Sequence, residues 1–284
     1  MIEEHREIVG FLCRWLLLAM VGAILLGAAW AGALATEAIA VETAARVVMP
    51  DGIARQRHNV WLVGYVRPRL PYSASTALLY QRGRAGDPRS ASVRGGKVNW
   101  YPAVGDAGLE RFEFRGQPHG PLATQRCAVR LLTVSAHETV WLIDADWANR
   151  LSQDRGNELA GLLARLDARG AIAMFHTGPL NAFESCRDEL RDKGFQYPIL
   201  LELRDNGGPA YILRRTSRRI RRWEHNRDMF VITDDGEFAR SAVEDGFRTH
   251  RVGEDSQPRV QSRLLTAHGS FDELKENLTT LPIP

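Results

Sequence analysis

The chain is 284 residues long, 44% hydrophobic and 25% charged, with a formal net charge of +3. That length holds about two globular domains, and so small a positive charge gives no reason to expect a nucleic-acid partner. Three cysteines, Cys13, Cys127 and Cys186, form no CxxC pair, which argues against a disulfide scaffold or a structural zinc module and leaves one Cys127–Cys186 bridge as an open alternative.

Residues 1–14 are a short tail, and residues 15–35 carry no charge. About 20 apolar residues cross a hydrocarbon core as a helix, so 15–35 either spans a membrane or is removed as a signal peptide. Ala33-Leu34-Ala35 suits cleavage, while the length of the run favours a retained transmembrane helix. Arg6 and Arg14 precede the run and the next basic residue is Arg46. This asymmetry predicts a single-pass membrane protein with a cytoplasmic N-terminus and the remainder extracytoplasmic or periplasmic.

Residues 36–59 read as a linker, with Pro50-Asp51-Gly52 as a turn signal. Between 60 and 135, short β-rich runs such as KVNWYPAV, ERFEFRG and CAVRLLTV alternate with turns such as Arg94-Gly95-Gly96. The pattern predicts a small antiparallel β-sandwich or barrel. Its arginines, Arg55, Arg57, Arg67, Arg69, Arg82, Arg84, Arg89 and Arg94, read as an exposed basic surface. It suits either solvent or anionic lipid head groups.

From 136 to 284 the pattern becomes strands alternating with helices, which predicts an α/β domain with a parallel sheet. Strands are expected at 140–143, 171–175, 197–203, 229–232 and 249–252, with helices at 156–169, 181–193, 211–223, 238–245 and 270–278. Four apolar residues run into Asp144 and Asp146, the second strand ends at His176-Thr177, and the fourth ends at Asp234-Asp235. Carboxylates at the C-terminal ends of parallel strands face the crevice where such sheets bind ligands, and a close pair suits a divalent cation such as Mg²⁺. His176 reads as a satisfied strand-end histidine or a substrate contact, and Cys186 as a small buried side chain.

The segments VWLIDADWA, AMFHTGP and MFVITDDGEFARSAVEDGFRTHRVG give this region a resemblance to the haloacid dehalogenase superfamily of aspartate-nucleophile phosphatases. Within that superfamily the region is most similar to the lipin-type phosphatidate phosphatase domain. The resemblance implies a Rossmannoid parallel sheet flanked by helices. It implies Asp144 as the nucleophile, Asp146 as the general acid/base, Thr177 as a phosphoryl hydrogen-bond donor, and Arg214 or Arg215 in the place of the family's lysine. Asp144, Asp146, Asp234 and Asp235 would hold Mg²⁺. Trp147 stands where the family carries a small residue, and Phe238 where it carries a further aspartate. Neither inter-strand interval, 147–170 nor 178–211, has the length for an inserted cap domain, which suits a large or membrane-embedded substrate such as phosphatidic acid. The competing expectation is a catalytically degenerate member of the fold that binds membrane lipid, serves as an envelope scaffold, or joins a membrane-protein complex.

Overall fold

Every residue of the strand Val140–Asp144 (β9) is buried, as happens at the centre of a parallel sheet covered on both faces. In the computed structural model the described residues are 46–56, 60–67, 76–82, 88–120, 122–195, 199–202, 228–253 and 262–280. The segment 15–35 and residues Arg214 and Arg215 lie outside them. Among the described residues no helix is long and apolar enough to cross a membrane.

β9 is flanked by Ala171–His176 (β10) and Met229–Thr233 (β12), and Leu200–Glu202 (β11), Arg248–Val252 (β13) and Leu265–His268 (β14) complete a six-stranded sheet in the order β11-β10-β9-β12-β13-β14. All five pairings are parallel, so every C-terminal strand end lies along one edge. The order reverses direction at the β9/β12 pair, and open α/β sheets form their ligand crevice at such a switch point.

One face of this sheet is covered by Ala145–Asp167 (α1), Leu180–Asp192 (α2) and Phe271–Thr280 (α4), which share a core with Ile143, Ile172 and Met174. α1 begins directly after β9, eleven residues ahead of the expected start at 156, because the Asp144 side chain caps it. A break at Arg155 (φ −134°, ψ 33°) divides this helix, and there the Arg155 guanidinium pairs with Asp272 of α4. The other face is covered by Gly236–Glu244 (α3) through Phe238 and Ala242, together with Ile53, Leu132 and Val134 from the β-rich region. The N-terminal module therefore shares the covering of that face with α3.

That module is one sheet of eight strands: Arg46–Val48 (β1), Gly52–Arg55 (β2), Leu62–Arg67 (β3), Thr76–Arg82 (β4), Arg89–Arg94 (β5), Lys97–Trp100 (β6), Gly108–Gly116 (β7) and Arg126–Val134 (β8). Their order is β1-β3-β6-β5-β4-β7-β8-β2, antiparallel except where β2 pairs with β8. Of the expected sandwich or barrel, the two separate sheets of a sandwich are not formed: the eight strands make a single hydrogen-bonded sheet, with one core that includes Tyr80, Trp100, Phe112 and Phe114. Trp100 packs edge-on against both phenylalanines, with centroids 5.0 and 5.1 Å away, the geometry that ring quadrupoles favour. Gly95 and Gly96, at φ 56° and 76°, supply the positive dihedrals of a tight β5–β6 hairpin.

The linker expected over 36–59 is replaced in its described part by β1 and β2. Asp51, read as a turn residue, is 4% exposed. Its carboxylate accepts from the Arg130 backbone N–H (2.8 Å), the Arg130 guanidinium (2.9 Å) and the Leu200 N–H (2.9 Å). One aspartate thus joins β8 to edge strand β11 and fixes the two sheets to each other. Arg55, expected on the surface, is 2% exposed and donates to the carbonyls of Ser135, Ala136 and Glu138, closing the turn that leads into β9. Arg67, Arg89 and Arg94 are exposed. Cys127 and Cys186 are both free thiols, so the bridge left open by the sequence does not form.

Candidate functional site

Asp144 ends β9 level with Phe175 of β10. It is 2% exposed, and both carboxylate oxygens are engaged. Oδ1 accepts from the backbone N–H groups of Asp146 (2.9 Å) and Trp147 (3.2 Å), and Oδ2 accepts from the Thr233 hydroxyl (2.6 Å). Burial pushes its pKa up to about 6, the Thr233 and Trp147 hydrogen bonds oppose that rise, and the carboxylates of Asp146 and Asp234 add to it. Like charges that converge on a desolvated acid favour its neutral form.

Asp146 lies in the first turn of α1, where its charge faces the positive end of the helix. Its carboxylate contacts His176 Nδ1 at 3.0–3.1 Å, and the His176 ring, 2% exposed, has Nε2 at 3.4 Å from the Pro179 carbonyl. A Cβ on Gly178 would come within 2.6 Å of that ring, so the glycine is what lets the imidazole fold back toward Asp146. Cys186 on α2 hydrogen-bonds the same carboxylate, and burial pushes its thiol up to about 12.

Asp234 follows β12, and both its oxygens accept from the Arg150 guanidinium, at 2.6 and 2.8 Å. Arg150 projects from α1, and its charge is favoured by Asp234, Asp144 and Asp146 together. It is a cation among three carboxylates, and the sequence pattern gave no sign of it. Asp235, expected beside Asp234 as a metal ligand, is instead the N-cap of α3, where its Oδ1 accepts from Glu237 and Phe238 N–H. A helix start leaves N–H groups without intrahelical partners, and Asp235 is the acceptor placed to meet them.

Thr177 sits one residue beyond β10 and is half-buried. The threonine that contacts Asp144 is Thr233, whose oxygen also accepts from Asp235 N–H at 3.0 Å. Trp147 is 5% exposed, turned into the core against Phe271 at 6.1 Å between centroids, so it does not block the crevice beside Asp146. Phe238 is likewise core, stacked on Phe175 at 4.6 Å.

No family model and no curated protein matches the chain. Solved structures similar to it include the PKD domain of human KIAA0319, 14% identical, covering 32% of this chain and 81% of that one at a TM-score of 0.23. An Amycolatopsis cytochrome P450 reductase is 14% identical over 80% of this chain and 68% of that one, with a TM-score of 0.22. A sialyltransferase from Photobacterium damsela is 8% identical over 64% of this chain and 36% of that one, with a TM-score of 0.16. Likeness at this level carries no argument. The class of the protein rests on its own strand order: an α/β protein with a six-stranded parallel sheet flanked by helices, joined to an eight-stranded, mostly antiparallel sheet.

Proposed function

We propose that the chain is a membrane-anchored, Mg²⁺-dependent phosphohydrolase of the haloacid dehalogenase type, with a Rossmannoid core, and that it hydrolyses a phosphomonoester, phosphatidic acid being the first substrate to assay. One observation carries this reading: Thr233 at the end of β12 is bonded to Asp144 at the end of β9, and this contact gathers Asp144, Asp146 and Asp234 at the switch point of the sheet. An anchor over 15–35 and an extracytoplasmic location for the remainder belong to the same proposal.

The donors fit a hard cation. Asp144, Asp146 and Asp234 offer oxygens only, as Mg²⁺ requires, and the Arg150 guanidinium already lies among them as a positive charge. Asp235, engaged in capping, is left out of the set. When bound, Mg²⁺ would neutralise charge on the phosphoryl oxygens. Asp144 attacks phosphorus and forms the aspartyl-phosphate, while Asp146 protonates the departing oxygen and then takes a proton from the attacking water. His176 orients the Asp146 carboxylate, and Arg150 offers a bidentate cation to phosphoryl oxygens. Arg214 or Arg215 keeps the charge-offsetting role that the family resemblance gives to a lysine. Between β9 and β10 only α1 intervenes, which supports an uncapped crevice suited to a lipid head group.

The second reading, a non-catalytic lipid-binding or scaffold protein, is favoured by one feature: a nucleophile must be accessible, and Asp144 is 2% exposed with both oxygens engaged. Phosphate release from phosphatidate vesicles and from soluble phosphomonoesters, with and without Mg²⁺, separates the two. Turnover that disappears in Asp144→Asn supports the enzyme. If wild-type protein turns over none of these substrates, the enzyme reading falls, and binding to phosphatidate-containing vesicles then tests the lipid-binding one.

A further inference from the structure

Asp146, His176 and Cys186 each place a ligand atom within 4.8 Å of the other two. We propose that they form a binding site for a thiophilic d¹⁰ cation of the Zn²⁺ class, distinct in chemistry from the all-oxygen set at Asp144, Asp146 and Asp234 and overlapping it at Asp146.

The donor types decide the metal. Mg²⁺ takes oxygen ligands, whereas one thiolate, one imidazole and one carboxylate form a set that Zn²⁺ accepts with a fourth position open. The donors come from three different elements, the first turn of α1, the end of β10 and the middle of α2. Rigid backbone therefore holds them together before any ion arrives.

The imidazole supplies a further reason. Nδ1 faces the Asp146 carboxylate at 3.0 Å and Nε2 faces the Pro179 carbonyl oxygen at 3.4 Å, so an ion would take the Nδ1 lone pair in the tautomer that carries its proton on Nε2, toward Pro179. A backbone carbonyl on the distal nitrogen is the usual way in which a metal-ligating histidine is oriented. Nδ1 and the Asp146 carboxylate, 3.0 Å apart, are joined by a proton without an ion and would be joined by the ion once it binds.

Asn149 is an independent observation. It is 7% exposed, its Nδ2 lies 3.7 Å from Cys186 Sγ, and its Oδ1 has no hydrogen-bond partner among the described residues. The Nδ2–H that faces the sulfur favours the thiolate form that an ion there would hold. On binding, the Cys186 thiol proton is released to solvent and the thiolate becomes the ligand. In the proposed phosphohydrolase the ion also takes the Asp146 oxygen needed for proton transfer. Zn²⁺ therefore inhibits, and this last step alone rests on the function proposed above.

Co²⁺ titration of the full chain tests the site without any activity assay. The expected result is one equivalent of Co²⁺ giving a near-ultraviolet thiolate-to-metal charge-transfer band, removed by Zn²⁺ and absent in Cys186→Ser. The double variant Cys13→Ser/Cys127→Ser leaves Cys186 as the sole cysteine and should keep the band, which guards against a Cys186→Ser chain that does not fold. No band in the wild type, or loss of the band in the double variant, overturns the proposal. With turnover in hand, Zn²⁺ should lower it at least about tenfold in the wild type and much less in Cys186→Ser. If Co²⁺ binds at Cys186 and no Mg²⁺-dependent turnover exists, the metal site stands and the phosphohydrolase reading falls.

Discussion

Thr233 donates its hydroxyl to Asp144 Oδ2 over 2.6 Å, joining the last residue of β12 to the last residue of β9 across the two central strands. The Thr233 hydroxyl oxygen also accepts from Asp235 N–H, so one hydroxyl organises both acidic strand ends. Thr233→Val keeps the shape and removes both bonds, leaving Asp144 Oδ2 without that donor. A buried polar group that loses its partner costs about 1–3 kcal/mol, so urea unfolding should show a loss in that range. Phosphohydrolase turnover, where present, should fall with it; unchanged stability would show that the contact contributes nothing.

The raised pKa of Asp144 sets a pH trend. Its folded value is about 6, against an ordinary value of 3.8, with burial the main cause. A raised folded pKa means that the group's contribution to stability is fully present below the unfolded pKa and is lost as pH rises through the folded one. In EDTA, Asp144 therefore weakens the fold between about pH 4 and 6. Asp144→Asn carries no charge but keeps only one of the two acceptor oxygens, so relative to the wild type it should gain up to about 3 kcal/mol of stability between pH 4 and pH 7 in the metal-free chain, and it should abolish turnover. Denaturant midpoints at pH 4 and pH 7 check the sign: the variant must gain on the wild type as pH rises.

The buried histidine pair acts in the opposite direction. His250 Nδ1 lies 3.0 Å from His268 Nε2, at 5% and 1% exposure, and burial, helped by the neighbouring His268, pushes the His250 pKa down to about 4. A base with a lowered folded pKa holds its full contribution above the ordinary value of 6.5 and loses it as pH falls toward 4. In an Asp144→Asn background, which removes the opposing trend, stability should decline from pH 6.5 to pH 4. A flat profile would mean that the pair takes up its proton without strain.

Gly178→Ala tests whether the His176–Asp146 contact matters. The new methyl would lie 2.6 Å from the ring, and the ring is buried, so it must turn away from Asp146. The expected result is a chain that stays folded, binds Co²⁺ at least about tenfold more weakly and has an altered pH–rate profile. Wild-type values for both would remove His176 from the site.

Asp51→Ala should be the most damaging of these substitutions to stability. It leaves the Arg130 guanidinium and two N–H groups without their shared acceptor. Each buried polar group that loses its partner costs about 1–3 kcal/mol, and here two N–H groups and a half-buried guanidinium lose theirs together. Because Asp51 bridges β8 and β11, limited proteolysis should release the parallel-sheet region from the β-rich module in the variant and not in the wild type.

Much of the α/β region was legible because its signals are local. Buried apolar runs marked β9, β10 and β12, and Gly194 and Gly246, at φ 75° and 89°, closed helices where expected. β5 was missed because its exposed polar positions alternate with only two buried ones. β14 was missed because it has a single buried residue, His268, and β1 and β2 because a proline–glycine turn signal lies between them.

The sequence alone determined which residues end the strands, since apolar periodicity and turn chemistry act over a few residues. Which partner each acid meets was decided only by the tertiary structure. Thr233 lies 89 residues from Asp144, Arg150 lies 84 from Asp234, and His176 lies 30 from Asp146. Such pairings follow from strand order and helix placement, and these are set by how the buried faces pack together rather than by any local pattern.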